Sequence, residues 1–230
     1  MSITIPKPKK VAVAMSGGVD SSVAVALLKD QGYEVIGVFM HFWHDTTDKN
    51  EALDTHIENR CCSREEEDGA RKVAQKLGIK FYVINVSEEF KKTVVDYFLF
   101  EYEQGRTPNP CIECNRSIKF GVMVEKALAM GADFVSTGHY VRMKNDIKSR
   151  NIKLLKAKDK NKDQSYFLYT LTQKKLKYCL FPVGDYEKKD IRILAKKYGF
   201  EIHDKKESQE ICFIPSKYYG DFLRKYLKLI

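Results

Sequence analysis

The chain has 230 residues, 43% of them hydrophobic and 12% aromatic, which is ample for a globular core and too apolar for a disordered polymer. Its 40 Lys and Arg against 31 Asp and Glu leave a net charge of +9, and the excess is uneven: residues 1–150 carry 21 basic and 21 acidic side chains, residues 151–230 carry 19 and 10. A neutral body with a basic end suits docking to a polyanion, although a Lys-rich solvated surface has the same composition. The longest apolar runs, such as residues 23–28, are six residues, far short of the roughly 18 that a spanning helix needs. No membrane span is expected, and with no apolar leader before the first motif the reading is cytoplasmic. In that compartment the six cysteines, Cys61, Cys62, Cys111, Cys114, Cys179 and Cys212, read as reduced thiols. The Cys-x-x-Cys pair Cys111/Cys114 points to metal binding or redox work rather than a structural bridge.

Residues 10–15 (KVAVAM) have the pattern of a short buried strand, followed by a turn at 16–22 and a helical apolar run to Leu28. Residues 35–40 predict a second strand, 65–77 a helix closed by Gly78, 80–86 a third strand and 88–103 another helix. Residues 43–62 are polar and aperiodic and are expected to form a long loop. Residues 105–115 contain two prolines and read as a loop, followed by a helix over 117–130 and a strand at 133–137. Residues 141–143 and 153–155 suit a small hairpin, and helix is expected at 165–170 and 186–198. Strands alternating with helices of these lengths predict an α/β fold with a parallel sheet flanked by helices, followed by a basic, mostly helical segment from about residue 145.

Gly17 and Gly18 stand where the first strand turns into a helix, so backbone N–H groups there can approach a phosphate, aided by the helix dipole. The run lacks the Lys of a Walker loop and the third Gly of a dinucleotide fingerprint. The turn suits an anion, and a tight helix-start turn capped by Ser and Asp is the lesser alternative. Asp20 could cap that helix or hold Mg²⁺ as a hard oxygen ligand, and the two roles are compatible.

With SGGVDSS after a first strand, the chain resembles the pyrophosphatase-loop ATPases of the adenine-nucleotide α-hydrolase-like class. CCS (61–63), GRTPNPCIECNRSIKF (105–120), TGHY (137–140), KDQSYFL (162–168) and ESQEICFI (207–214) are similar to motifs of the bacterial and organellar tRNA-specific 2-thiouridylases. The resemblance runs from about residue 11 to 223. It implies ATP-dependent 2-thiolation of the tRNA wobble uridine, with the C2 oxygen adenylated, AMP and pyrophosphate released, and sulfur received from a cysteine desulfurase or relay protein. It implies Cys212 as persulfide carrier and Cys114 as partner thiol. Ala14, Met15, Ser16, Gly17, Gly18, Val19, Asp20 and Ser21, with Met40 and Gly138, would hold ATP. Asn109, Pro110 and Cys111 would lie at the target base, and Lys162, Asp163 and Gln164 would contact tRNA.

Taken alone, Cys212 between Ile211 and Phe213 would pass for a buried core thiol. His139 suits a structural hydrogen bond better than a base. Part of the family has an acid at the position of Cys111. A thiol there permits Cys111, Cys114 and Cys212 to bind an iron-sulfur cluster, and because the disulfide route gives Cys111 no task, the sequence favours the cluster. Zinc lacks an evident fourth ligand. Family members usually continue into a further small domain and a β-barrel that help grip the tRNA. The expected division is a pyrophosphatase-loop catalytic domain at 1–144 and a basic tRNA-binding segment carrying Cys212 at 145–230. Another tRNA-thiolating ATPase of the same class and an inactive tRNA-binding remnant are the alternatives.

Overall fold

A five-stranded parallel sheet organises the chain, in a computed structural model that describes residues 8–43, 63–204, 211–214 and 219–227. The strands are β1 (Lys10–Ala14), β2 (Glu34–His41), β3 (Lys80–Asn85), β4 (Phe134–Ser136) and, after a hairpin of β5 (Val141–Asp146) and β6 (Asn151–Lys156), β7 (Cys179–Leu180). The order across the sheet is β3-β2-β1-β4-β7, with Val11 in register between Val35 and Phe134. The central strand reads VAV at its middle because all three residues are fully enclosed.

Helix α1 (Val19–Asp30) follows β1, and its residues Ser21 to Leu28 are all buried. An apolar sequence on all sides is what such a helix needs, and it packs between the sheet and α8 (Lys188–Lys197). Helix α2 (Arg64–Leu77) begins at Ser63, whose hydroxyl accepts from the Glu66 N–H at 3.2 Å, and ends at Gly78 with φ +62°. The Ser-x-x-Glu start and glycine stop explain why its limits were readable. A helical run follows as α3 (Ser87–Phe90), a wider π-type stretch (Lys91–Val95) and α4 (Asp96–Glu103).

The expected loop at 105–115 is shorter than its prolines suggested. Asn109 caps a helix whose first residue is Pro110, so α5 (Pro110–Glu113) runs on through a π-type stretch (Cys114–Val122) into α6 (Met123–Ala129). Asn-Pro is a start signal here, since proline lacks only an N–H that a first turn leaves unused. Residues 165–170 supply a short 3-10 turn (Ser165–Leu168), followed by α7 (Gln173–Leu176). A division at 144/145 falls inside β5, and β7 completes the edge of the main sheet beside β4. The basic segment is thus built into the same sheet, and α8 packs on α1. Most of the expected 43–62 loop lies outside the described residues.

Candidate active site

The sheet order reverses between β1 and β4, which opens a crevice at the carboxyl ends of those strands, where open parallel sheets take ligands. The turn after β1 enters it. Gly17 has φ +70°, and a Cβ there would stand 2.4 Å from both the carbonyl oxygen and a carboxylate oxygen of Glu66. Only glycine fits. Ser21 and Ser22 donate their hydroxyls to the Gly18 carbonyl at 3.1 and 2.9 Å, and Ser16 N–H donates to Ser21 Oγ at 3.2 Å. From β4, Gly138 comes so near that a Cβ would lie 2.7 Å from Ser21 N and 2.8 Å from the Asp20 carbonyl carbon. Met40, buried at the end of β2, lies two residues past Val38, the partner of Ala14 in register. Residues 14–21, Met40 and Gly138 therefore gather at one end of the sheet.

Asp20 does not cap α1, a place taken by Gly18. Its carboxylate accepts from Lys188 Nζ at 2.7 and 2.8 Å and from the Tyr140 hydroxyl at 2.7 Å. As a hard oxygen donor beside the glycine turn it fits Mg²⁺ chemically, but an ammonium engages both oxygens, so metal and Lys188 are alternatives at that carboxylate. Lys188 was not singled out by sequence: one Lys among many at a helix start carries no signal until the fold brings it, from 168 positions away, onto Asp20. Nearby, His139 is buried, its Nδ1 is 2.7 Å from the Thr137 hydroxyl, and burial, assisted by the Lys119 charge, holds its imidazole well below the usual range. That is a structural histidine.

The thiols sit on a second wall. Asn109 Oδ1 accepts from the N–H groups of Cys111 and Ile112 at 3.2 and 3.3 Å, which leaves Cys111 exposed and points the chain so that Cys114 is buried. Cys212 is half-buried, and its neighbour Phe213 packs against Phe90 and Phe98 with ring centroids 5.7 and 5.5 Å apart. The helical run bearing those two rings also packs against α5 and the stretch starting at Cys114. The aromatic cluster explains the apolar ICFI sequence without making Cys212 a core residue. Among the described residues no three His, Cys, Asp or Glu side chains converge as a metal ion would require. Cys111, Cys114 and Cys212, exposed, buried and half-buried in turn, are not such a group in this structure. Cys179, enclosed by the sheet, donates to the Lys175 carbonyl at 3.2 Å, and burial pushes its thiol up to about 12. Cys61 and Cys62 lie outside the described residues.

The KDQ segment joins the two walls. Gln164 and Tyr140 exchange two hydrogen bonds of 2.9 Å, Gln164 N–H to the Tyr140 carbonyl and Tyr140 N–H to Gln164 Oε1. Asp163 accepts from Ala157 N–H at 2.8 Å and from the Ser165 hydroxyl at 2.7 Å, and Lys162 N–H donates to the Asp159 carbonyl at 3.2 Å. Asn115, next to Cys114, donates to the Phe167 carbonyl at 3.3 Å. A connected path thus runs Asp20, Tyr140, Gln164, Phe167, Asn115, Cys114. Beside it Tyr166 and Tyr169 are 63% and 67% exposed, their rings 6.1 Å apart and inclined by 33°. Residues 144–162 hold eight basic and two acidic side chains. A cleft lined by Lys158, Asp159, Lys160, Asn161, Glu187 and Lys189 lies next to Lys188.

Residues 9–216 match the family described as "tRNA methyl transferase HUP domain". The chain belongs to that family. Within it, the chain is similar to proteins named tRNA-specific 2-thiouridylase MnmA: 50% identical over 215 residues to that of Clostridium perfringens, and 49% over 220 residues to that of Clostridioides difficile. These alignments cover 94% and 96% of the chain and 58% and 59% of the relatives, so the chain spans less than two thirds of their length. The protein of Geotalea uraniireducens is 50% identical over 222 residues, again 58% of its length. A solved structure of NMN synthetase from Francisella tularensis matches 88% of the chain and 67% of its own with a TM-score of 0.52 and 14% sequence identity. That likeness agrees with the parallel α/β architecture of the HUP family member. Among the described residues no helix is long and apolar enough to cross a membrane.

Proposed function

We propose that the chain is the ATP-using, sulfur-transferring part of a tRNA uridine 2-thiolating enzyme. The observation that supports this reading is the run of hydrogen bonds from Asp20, beside the glycine turn, through Tyr140, Gln164 and Phe167 to Asn115, the chain neighbour of Cys114. The family description speaks of methyl transfer and the relatives' names of thiolation. Two thiol segments beside a pyrophosphate-type turn favour the second, because replacing a carbonyl oxygen by sulfur needs both an activated oxygen and a sulfur nucleophile.

In this reading residues 14–21, Met40 and Gly138 hold ATP. The uracil C2 oxygen attacks the α-phosphorus, a P–O bond forms and pyrophosphate leaves. Mg²⁺ accompanying the phosphates would be held by Asp20 and would neutralise charge there. The outer sulfur of a Cys212 persulfide, loaded by a cysteine desulfurase or a relay protein, then bonds to C2, and AMP departs with the oxygen. The Cys114 thiolate attacks Cys212 Sγ. The sulfur-sulfur electron pair passes to the sulfur on C2, a Cys114–Cys212 disulfide forms, and a thiol reductant restores both groups. Cys111 takes no step. Asn109 and Pro110 shape the wall at the target base, with Cys111 exposed beside it. Lys162, Asp163 and Gln164 hold the RNA-facing turn, from which Tyr166 and Tyr169 offer aromatic faces to unstacked bases. The basic hairpin supplies the phosphate contacts.

With substrate tRNA and Mg-ATP the products are expected to be AMP and pyrophosphate, and ADP as main product would contradict the reading. Gly17→Ala forces a side chain onto the Glu66 backbone, and ATP affinity measured calorimetrically should fall at least about tenfold, roughly 1.4 kcal/mol.

A further inference from the structure

Lys188 is the polar group of the crevice that none of the motifs account for. Its backbone is fixed three ways: its N–H donates to Asp159 Oδ2 at 2.9 Å, Glu187 and Asp190 form a reciprocal cap at the start of α8, and Ile191 and Ala195 bury α8 against α1. Its side chain is only 12% exposed and the Asp20 side chain 27%. The ammonium bridges both Asp20 oxygens and lies 5.8 Å from the centre of the Tyr140 ring, whose hydroxyl shares Asp20 Oδ1. A half-extended lysine on a surface would not be held by a carboxylate, a phenol ring and a capped helix together.

The position matters because of the charge it meets. Asp20 lies in the first turn of α1, directly after the glycine turn, where a bare carboxylate would repel a polyphosphate arriving at the turn's N–H groups. The bound ammonium cancels that charge. A phosphate oxygen entering the turn meets a cation already desolvated and oriented, which is the condition under which a lysine binds phosphate well.

We propose that Lys188 is a phosphate-binding residue of the nucleotide site, delivered by the C-terminal half of the chain and parked on Asp20 until the nucleotide arrives. When Mg-ATP enters, the ammonium passes to a phosphate oxygen and Asp20 becomes available to the metal. This rests on the nucleotide reading above and adds to it a residue outside the loop. It also makes nucleotide binding depend on α8.

The test is a double-mutant cycle read by calorimetry on the full chain, with ATP and adenosine as separate titrants. Lys188→Met should weaken ATP at least about tenfold, with adenosine affinity unchanged and Lys188→Arg retaining most of the ATP affinity. Because Lys188→Met leaves Asp20 uncompensated, the deciding comparison is made in an Asp20→Asn background. There Lys188→Met should still weaken ATP by a similar factor. If it has no effect in that background, Lys188 only neutralises Asp20 and the proposal is overturned. Equal loss of ATP and adenosine affinity would also overturn it, by showing a structural role alone. A wild-type chain that binds adenosine but gains nothing from the phosphates of ATP would bring down the loop assignment itself.

Discussion

Single residues decide what the crevice will accept. Gly17 and Gly138 are required by contact, one against Glu66 and the other against Asp20 and Ser21; Gly17 was legible from its place where a strand turns into a helix, Gly138 only through the family resemblance. Asp20 was legible as a functional acid, but its partners were not: Tyr140 and Lys188 lie 120 and 168 positions away, and no local pattern encodes such a meeting. The thiols divide by surroundings that spacing alone could not reveal. Cys179 is sealed in and inert, Cys114 is buried beside Asn115, and Cys111 is turned to solvent. His139 yields a pH prediction. The native imidazole stays neutral while the unfolded one protonates near pH 6.5, so below that value the unfolded state binds the extra proton and is favoured. Stability should therefore be full above about pH 6.5 and fall progressively below it. Melting temperatures at pH 7.5 and 5.5 should differ more for the wild-type chain than for His139→Gln; an identical acid shift in both would show that another group is responsible.

At the scale of elements, periodicity located the strands and the long helices, because each buries a face that repeats along the sequence. It failed where short-range chemistry overrode it. Asn109-Pro110 turned an expected loop into a helix start, and β7, two residues long, is too short to show any period. The hairpin of β5 and β6 was foreseen from its two apolar cores and is longer than those cores. The two acids among residues 144–162 are spent on local bonds: Asp146 in the hairpin, held below the usual carboxylate range chiefly by the Lys153 ammonium, closes the turn, and Asp159, three residues past it, caps the backbone of Asn161 and Lys188. Residues 144–162 together carry eight basic side chains against these two acids. Changing Lys153, Lys156 and Lys158 to Glu should weaken tRNA binding and reduce the salt slope, log Kd against log salt, by about 2 to 3. ATP affinity should stay as it was. An unchanged slope would remove the hairpin from the RNA-binding surface.

Across the whole molecule the basic C-terminal segment and the neutral N-terminal part are one body. β7 extends the sheet, α8 covers α1, Gln164 clasps Tyr140 and Lys188 grips Asp20. Charge arithmetic suggested a polyanion-binding appendage; the fold instead brings its Lys188 onto Asp20 of α1 and its Gln164 onto Tyr140, four residues past β4. The most direct test loads the chain with persulfide, adds Mg-ATP and substrate tRNA, and follows one turnover by nucleoside mass spectrometry and nucleotide analysis. 2-Thiouridine and AMP are expected in equal amounts, with no thiouridine from Cys212→Ser or Cys114→Ser and full yield from Cys111→Ser. Thiouridine formed by Cys212→Ser, or formed without AMP, would contradict the proposed function.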